Sequence, residues 1–101
     1  MPPLRALAAL VLLATPVAAA DEAGRKVFLD VAEPRCGVCH TLAEAGTTGE
    51  VGPNLDVLKP DAERVKAAVT NGIGVMPAFE DLTPEQIEAL ARYVSGAAGR
   101  K

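Results

Sequence analysis

The chain has 101 residues, which is long enough for one compact domain and too short for two. Half of its residues are apolar, but it has no tryptophan, one tyrosine and two phenylalanines, so we expect a metal, a disulfide or a cofactor to supplement its core. The formal charge is −3 and the basic residues form no cluster, which disfavours nucleic-acid binding.

Residues 1–20 have the parts of a secretory signal peptide. A basic N-terminus is followed by an apolar stretch and then by small residues that predict cleavage near Ala20. An uncleaved membrane anchor is the alternative, but the stretch contains Pro16 and is shorter than the roughly 20 residues that span a bilayer. We therefore expect a periplasmic protein without a transmembrane segment. Its mature domain, residues 21–101, has a formal charge of −4 because Arg5 is removed.

The mature part begins with a helical pattern. From Asp21 to about Val31, apolar residues recur at helical spacing, and Pro34 ends this helix because a proline disfavours helical conformation in the residue before it. Residues 46–53 are rich in Gly, Thr and Glu, which predicts a loop that runs on to Asp56.

A second helix is predicted to start around Pro60, which suits a first helical turn. It ends at Asn71 and Gly72, since both residues tolerate the left-handed conformation that closes helices. The following residues, 73–79, contain Gly74 and Pro77 and are expected to be irregular.

The last helix has the clearest signal. Thr83 is a candidate N-cap, Pro84 follows it, and Gln86 completes a capping box before an apolar stripe, with Gly96 just beyond. Three main helices joined by long loops, with almost no strand, predict an all-α fold.

The segment with the most specific chemistry is Cys-x-x-Cys-His at residues 36–40. Two thiols separated by two residues, Cys36 and Cys39, can add to the two vinyl groups of haem, while the adjacent His40 reaches the iron. The segment therefore predicts one covalently attached haem c.

Three other uses of this segment stay open. A thioredoxin-like redox pair would be expected within a βαβ pattern, which the sequence lacks. A structural zinc site needs four ligands, and the cysteines and histidine supply three. A simple disulfide suits an exported protein but leaves His40 unexplained.

A second axial ligand must be a different residue type, because His40 is the only histidine. Apart from the initiator, Met76 is the only methionine, and it lies between Gly74 and Pro77 in an irregular segment. We predict that Met76 is this ligand, since Met/His ligation is an established haem arrangement. The alternative is a methionine that fills a gap in the core.

These parts, in this order, resemble the class I c-type cytochromes over essentially all of residues 21–101. Besides the helices and Cys-x-x-Cys-His, the chain has the family's Gly-Pro-Asn-Leu segment at 52–55 and its Val-Met-Pro ligand loop at 75–77. The resemblance implies a small class I cytochrome c fold, with three main helices and long loops wrapped around one covalently attached haem with His/Met ligation.

The resemblance also assigns roles to individual residues. The Pro53 carbonyl would accept a hydrogen bond from the His40 ring and orient it, although an ordinary loop proline is the alternative. The family's first and last helices pack through four positions that this chain matches: Gly24, Phe28, Leu90 and Tyr93. The spacing of Phe28 and Cys36 is longer than in the family's tightest members, which predicts an extra turn at residues 30–35.

Further side chains are candidates for the walls of the haem pocket, and each is equally explicable as plain core. They are Leu42, Leu55, Ile73, Val75 and Phe79.

Filled axial positions favour electron transfer over catalysis. We therefore predict a monomeric one-electron carrier, not an enzyme, that shuttles electrons from a redox-protein donor to an acceptor such as a terminal oxidase. Residues 41–56, 69–72 and 76–79 are similar to small cytochromes that accept electrons from periplasmic sulfite dehydrogenases, which implies a donor of that kind.

Two rival functions stay open. A cytochrome subunit of a larger oxidoreductase would present an exposed apolar patch around the haem edge near Val38 and Ala78. A haem-based ligand sensor would need Met76 to leave the iron easily.

Overall fold

The computed structural model describes residues 16–100, with side chains from residue 21 onward. Most of the predicted signal peptide, residues 1–15, lies outside the described residues, and so does Lys101. None of the described helices is long and apolar enough to cross a bilayer.

Helices dominate the described residues, and strand is limited to two pairs of residues. The elements are α1 (Pro16–Lys26), α2 (Cys36–Cys39), β1 (Thr41–Leu42), β2 (Thr47–Thr48), α3 (Leu55–Leu58), α4 (Ala62–Asn71) and α5 (Pro84–Ala97). The antiparallel pairing of β1 with β2 sets Thr41 opposite Thr48. The predicted all-α fold with three main helices, α1, α4 and α5, is confirmed.

The first helix ends in one π-helical turn, Val27–Val31, closed by a 3.0 Å hydrogen bond from the Ala32 N–H to the Val27 carbonyl. The predicted end of the helix at Val31 is therefore confirmed. The extra turn expected at residues 30–35 lies earlier than predicted, because the wider π turn takes up the additional residues.

Helix α5 packs against both α1 and α4. At the α1 contact, a Cβ atom on Gly24 would overlap the Ala89 carbonyl group and the Cβ of Tyr93. The rings of Phe28 and Tyr93 are both buried and meet edge to face, with centroids 6.1 Å apart. Leu90 is buried beside them, so the predicted contact between the first and last helices is confirmed.

Helix α4 begins two residues later than Pro60. Asp61 is its N-cap, and the Asp61 side chain accepts a 2.8 Å hydrogen bond from the Arg64 N–H. The prediction that Pro60 lies in the first turn was wrong, because a capping carboxylate outside the helix satisfies the free N–H groups there. The predicted end is confirmed, since Gly72 leaves the helix with φ 72°.

The capping box of α5 is present as predicted. Thr83 Oγ1 accepts from the Gln86 N–H at 3.1 Å, and Gln86 Oε1 accepts from the Thr83 N–H at 2.9 Å. The helix continues through Gly96, which was predicted to lie just beyond its end, to Ala97.

The predicted loop from residue 46 to Asp56 was wrong in its last part, because α3 begins at Leu55. The Asn54 side chain caps this single turn and accepts hydrogen bonds from the N–H groups of Asp56 at 2.9 Å and Val57 at 3.3 Å. As a result, Leu55 is buried against the core.

Candidate haem site

The two cysteines lie on the single turn of α2. Cys36 and Cys39 are three positions apart, so they share one side of the turn, and both are half-buried with free thiols. The His40 N–H donates to the Cys36 carbonyl at 2.9 Å. With φ −119° and ψ 136°, His40 is extended and leaves the helix directly after the second cysteine.

Two adjoining cavities, of about 310 and 290 Å³, lie beside this turn. Each is near the lower end of the volume range of small-molecule sites, and together they form a larger site. Five residues line both cavities: Cys36, His40, Pro53, Ile73 and Met76. The sequence-predicted thiol, imidazole and thioether groups are therefore brought together at one place.

The imidazole of His40 is held by the loop that follows it. Its Nδ1 lies 2.7 Å from the Pro53 carbonyl oxygen, which is the hydrogen bond that the resemblance implied. A carbonyl oxygen can only accept, so Nδ1 carries the proton and Nε2 keeps the lone pair that binds a metal. Carbonyl acceptors of this kind fix the ring plane of a ligand histidine and raise its donor strength.

Gly52 is a site residue that the sequence reasoning did not single out. A Cβ atom here would lie 2.6 Å from Cε1 and 3.0 Å from Nδ1 of His40, so only a glycine lets the chain pass this close to the ring. The Gly52 N–H also donates to the Cys39 carbonyl at 2.7 Å. This loop therefore packs against both the cysteine turn and the imidazole.

Met76 is positioned by a tight turn after α4. Two backbone hydrogen bonds, 3.0 and 2.9 Å long, join Ile73 to Met76, and the Phe79 N–H donates to the Val69 carbonyl at 2.9 Å. The first two bonds close the turn, and the third fastens the end of the segment to α4. Met76 is half-buried and its side chain borders both cavities.

Most of the predicted pocket walls border a cavity. Leu55 lines the larger one, Val75 and Phe79 line the smaller one, and Ile73 lines both. Leu42 lines neither, so that prediction was wrong. Its pairing with Thr47 in the β1–β2 ribbon holds it in the core instead, where it is fully buried.

Several walls of the larger cavity were not predicted as such. Helices α4 and α5 and the end of α1 supply them: Phe28, Val65, Val69, Leu90 and Val94. Their helical spacing signals only a buried face, and the sequence does not tell which part of that face meets a cavity.

Two of the alternative uses of the cysteines find no support in this geometry. Burial raises the pKa of the Cys36 thiol to about 11, whereas a thioredoxin-like pair needs a lowered thiol pKa. Within residues 16–100, no three His, Cys, Asp or Glu side chains come together as a metal site, and a structural zinc site needs four ligands.

The residues present fit a covalently attached haem. Thiols that can form thioether bonds, an imidazole with a free Nε2 and a thioether sulfur border the same space. The remaining walls are mainly aliphatic and aromatic, which suits a large apolar ring.

Comparisons with known proteins show which family the chain is similar to. Residues 19–94 match the family of subunit III of cbb3-type cytochrome c oxidase. Cytochrome c6 from Nostoc sp. is 39% identical over 94 residues, which are 83% of this chain and 78% of the relative. Cytochrome c6 from Gloeothece citriformis is 40% identical over 70% of this chain and 66% of the relative.

A solved structure is also similar to this chain. The crystal structure of the c-type cytochrome SorU from Sinorhizobium meliloti is 63% identical in sequence, with a TM-score of 0.80. The match covers 81% of this chain and 94% of that chain.

Proposed function

Because the chain belongs to the small class I c-type cytochromes, we propose that Cys36 and Cys39 attach its haem c and that His40 and Met76 are the axial ligands. The protein is an electron carrier and not an enzyme, with one covalently attached haem. When bound, the haem supplies a one-electron ferrous/ferric couple.

The shared lining of the two cavities is the observation that carries this proposal. His40 and Met76 border both cavities, and so does Cys36. Pro53 orients the imidazole through Nδ1 and leaves Nε2 for the iron. The soft, neutral thioether of Met76 would favour the ferrous state, because it compensates little for the additional positive charge of ferric iron.

The pocket walls contribute by excluding water. Leu55, Val69 and Phe79 are buried and apolar, so they solvate charge poorly. A poorly solvating pocket favours the less charged ferrous centre and raises the reduction potential.

The rim of the smaller cavity is a candidate docking surface for redox partners. Val51, Ile73 and Val75 are 70, 68 and 88% exposed, and all three line this cavity. Apolar side chains exposed together are typical of interaction sites. A partner that docks here would approach the pocket at its open side, where electron transfer has the shortest path.

The proposed partners follow from the sequence resemblance. A periplasmic sulfite dehydrogenase is the proposed donor, and a terminal oxidase is a proposed acceptor. The carrier itself acts as a periplasmic monomer after residues 1–20 are removed near Ala20. Mixing the reduced dehydrogenase with the oxidised carrier in a stopped-flow instrument tests the donor, since rapid haem reduction is expected.

A cytochrome subunit of a larger oxidoreductase is the second candidate. It is favoured by the match to an oxidase subunit family and by the exposed apolar rim. Val38, between the two cysteines in the chain, is also exposed, at 63%. Ala78, the other residue expected in such a patch, is half-buried. Co-purification from the native host distinguishes the two, because a free carrier elutes alone at the mass of a monomer.

The attachment and the ligands are tested on protein matured in an export-competent host. Mass spectrometry should give the polypeptide from Asp21 plus one haem that survives denaturation. Met76→Ala should keep the covalent haem, lose the sulfur-to-iron band in the near infrared and bind carbon monoxide when reduced. A bare polypeptide mass would contradict haem attachment, and an unchanged band in Met76→Ala would contradict ligation by Met76.

A further inference from the structure

One arginine borders the larger cavity, whose other described walls carry no permanent charge. Arg64 lies in the first turn of α4, where the Asp61 cap accepts its backbone N–H. Ala67 and Ala68, three and four positions further on, line the same cavity. The side of α4 that faces the cavity therefore carries a cation at its N-terminal end.

The guanidinium of Arg64 has no carboxylate partner among the described residues. The ion pairs there join Arg25 to Glu44, Arg35 to Glu33, and Lys66 to Glu63 and Glu88. An arginine presents a planar fork of N–H donors that matches a carboxylate with two parallel hydrogen bonds. Arg64 is thus available to an anionic group in the cavity.

Two other basic residues differ from Arg64 in this respect. Lys59 lines neither cavity. Arg35 lines the smaller cavity, but its Nη1 lies 3.6 Å from Glu33 Oε1. Of these three residues, only Arg64 both lines a cavity and has no carboxylate partner among the described residues.

The two cavities place Arg64 away from the second cysteine. Cys39 lines only the smaller cavity and Arg64 only the larger one, while His40 and Met76 line both. In haem, the edge with the two vinyl groups is opposite the edge with the two propionates. A haem attached at Cys36 and Cys39 would direct its carboxylates away from the cysteine turn, and Arg64 is the permanently charged wall of the larger cavity, which Cys39 does not line.

We propose that Arg64 is a positioning residue that binds a haem propionate carboxylate at the α4 edge of the larger cavity. This inference rests on the proposed haem attachment. A carboxylate beside apolar walls is costly unless it is paired, and a nearby cation holds it in the ionised form. The positive charge also disfavours ferric iron, so Arg64 contributes to a high reduction potential.

The pH dependence of the reduction potential tests this proposal on the purified holoprotein. Arg64→Gln should lower the potential at neutral pH. It should also move the pH range in which the potential changes upward by on the order of one unit, because a propionate without its cation has a higher pKa. Arg64→Lys keeps the charge and should restore most of the neutral-pH potential.

The matched control is Arg92→Gln, which removes the same charge from an exposed position on α5 that lines neither cavity. It should leave both the potential and its pH profile unchanged. The proposal would be overturned if the Arg64→Gln profile superimposed on the parent profile, if Arg92→Gln gave an equal shift, or if Arg64→Lys behaved like Arg64→Gln.

Failure of this inference is distinguishable from failure of the proposed function. If the parent protein carries covalent haem with its sulfur-to-iron band and Arg64→Gln has no effect, only the role of Arg64 is wrong. If the parent carries no covalent haem, the proposed attachment is wrong, and the inference falls with it.

Discussion

The contact between α1 and α5 allows a specific prediction for Gly24→Val. A Cβ atom at this position would lie 2.8 Å from the carbonyl carbon of Ala89, and closer still to its oxygen and to the Cβ of Tyr93. Most of these atoms are backbone or first side-chain atoms and cannot rotate away. The two helices would have to separate, and the edge-to-face contact of Phe28 with Tyr93 would loosen.

We expect this overpacking to lower the free energy of unfolding by about 1 to 3 kcal/mol. In a domain of this size, each kcal/mol shifts the thermal midpoint by roughly 4 to 8 °C. Gly24 lines neither cavity, so the sulfur-to-iron band of the holoprotein should remain. Thermal unfolding followed by circular dichroism, together with the visible spectrum, measures both effects.

Gly96→Ala is the matched control. Gly96 lies in α5, and an added Cβ there meets no atom within 4 Å. Alanine is the better helix former by about 1 kcal/mol, so this variant should be as stable as the parent or more stable. If Gly24→Val unfolded at the same temperature as the parent, the close approach of the two helices would be refuted.

Two other predictions concern charge. Residues 21–101 carry a formal charge of −4, so electron transfer with a basic partner should slow as ionic strength rises to about 0.15 M, where the screening length is about 8 Å. Rates independent of salt would exclude electrostatic steering. Burial and the hydrogen bond that the Tyr93 hydroxyl donates to Glu44 raise the pKa of Tyr93 above its usual value. The Glu44 carboxylate also forms an ion pair with Arg25. The native state therefore keeps the Tyr93 proton at a pH where the unfolded chain loses it, so stability should fall above about pH 10, and less steeply in Tyr93→Phe.

The features predicted best from the sequence are those that local chemistry determines. The capping box of Thr83 and Gln86 needs only residues three positions apart in the chain, so its pattern is readable without the fold. The assignment of Met76 as the candidate ligand depended on elimination, since no other histidine and no other internal methionine exists. The structure brings it to the same cavities as His40.

Predictions failed where a short element or a competing cap decided the outcome. Helix α3 is a single turn, too short for a periodic pattern, although Asn54 before Leu55 was a readable N-cap signal. Helix α4 begins after its N-cap Asp61 and not at Pro60, one residue earlier, where the proline had predicted the start. The π turn at the end of the first helix could not be predicted, because its five residues are too few for a π-helical period to show in the sequence.

The roles of Gly52 and Arg64 could not be predicted, because each depends on a neighbour that the chain reaches only after folding. Gly52 is twelve positions from His40 in sequence, yet it touches the imidazole ring. Arg64 resembles any exposed arginine until α4 sets it on the wall of an apolar cavity. In the proposed site, the ligands are therefore predictable from residue type and order in the chain. The groups that orient the imidazole and would pair with a propionate are not, because the packing of loops and helices brings them to the site. The reduction potential depends on the second kind of group as much as on the first, which is why similar ligand motifs can serve cytochromes with different potentials.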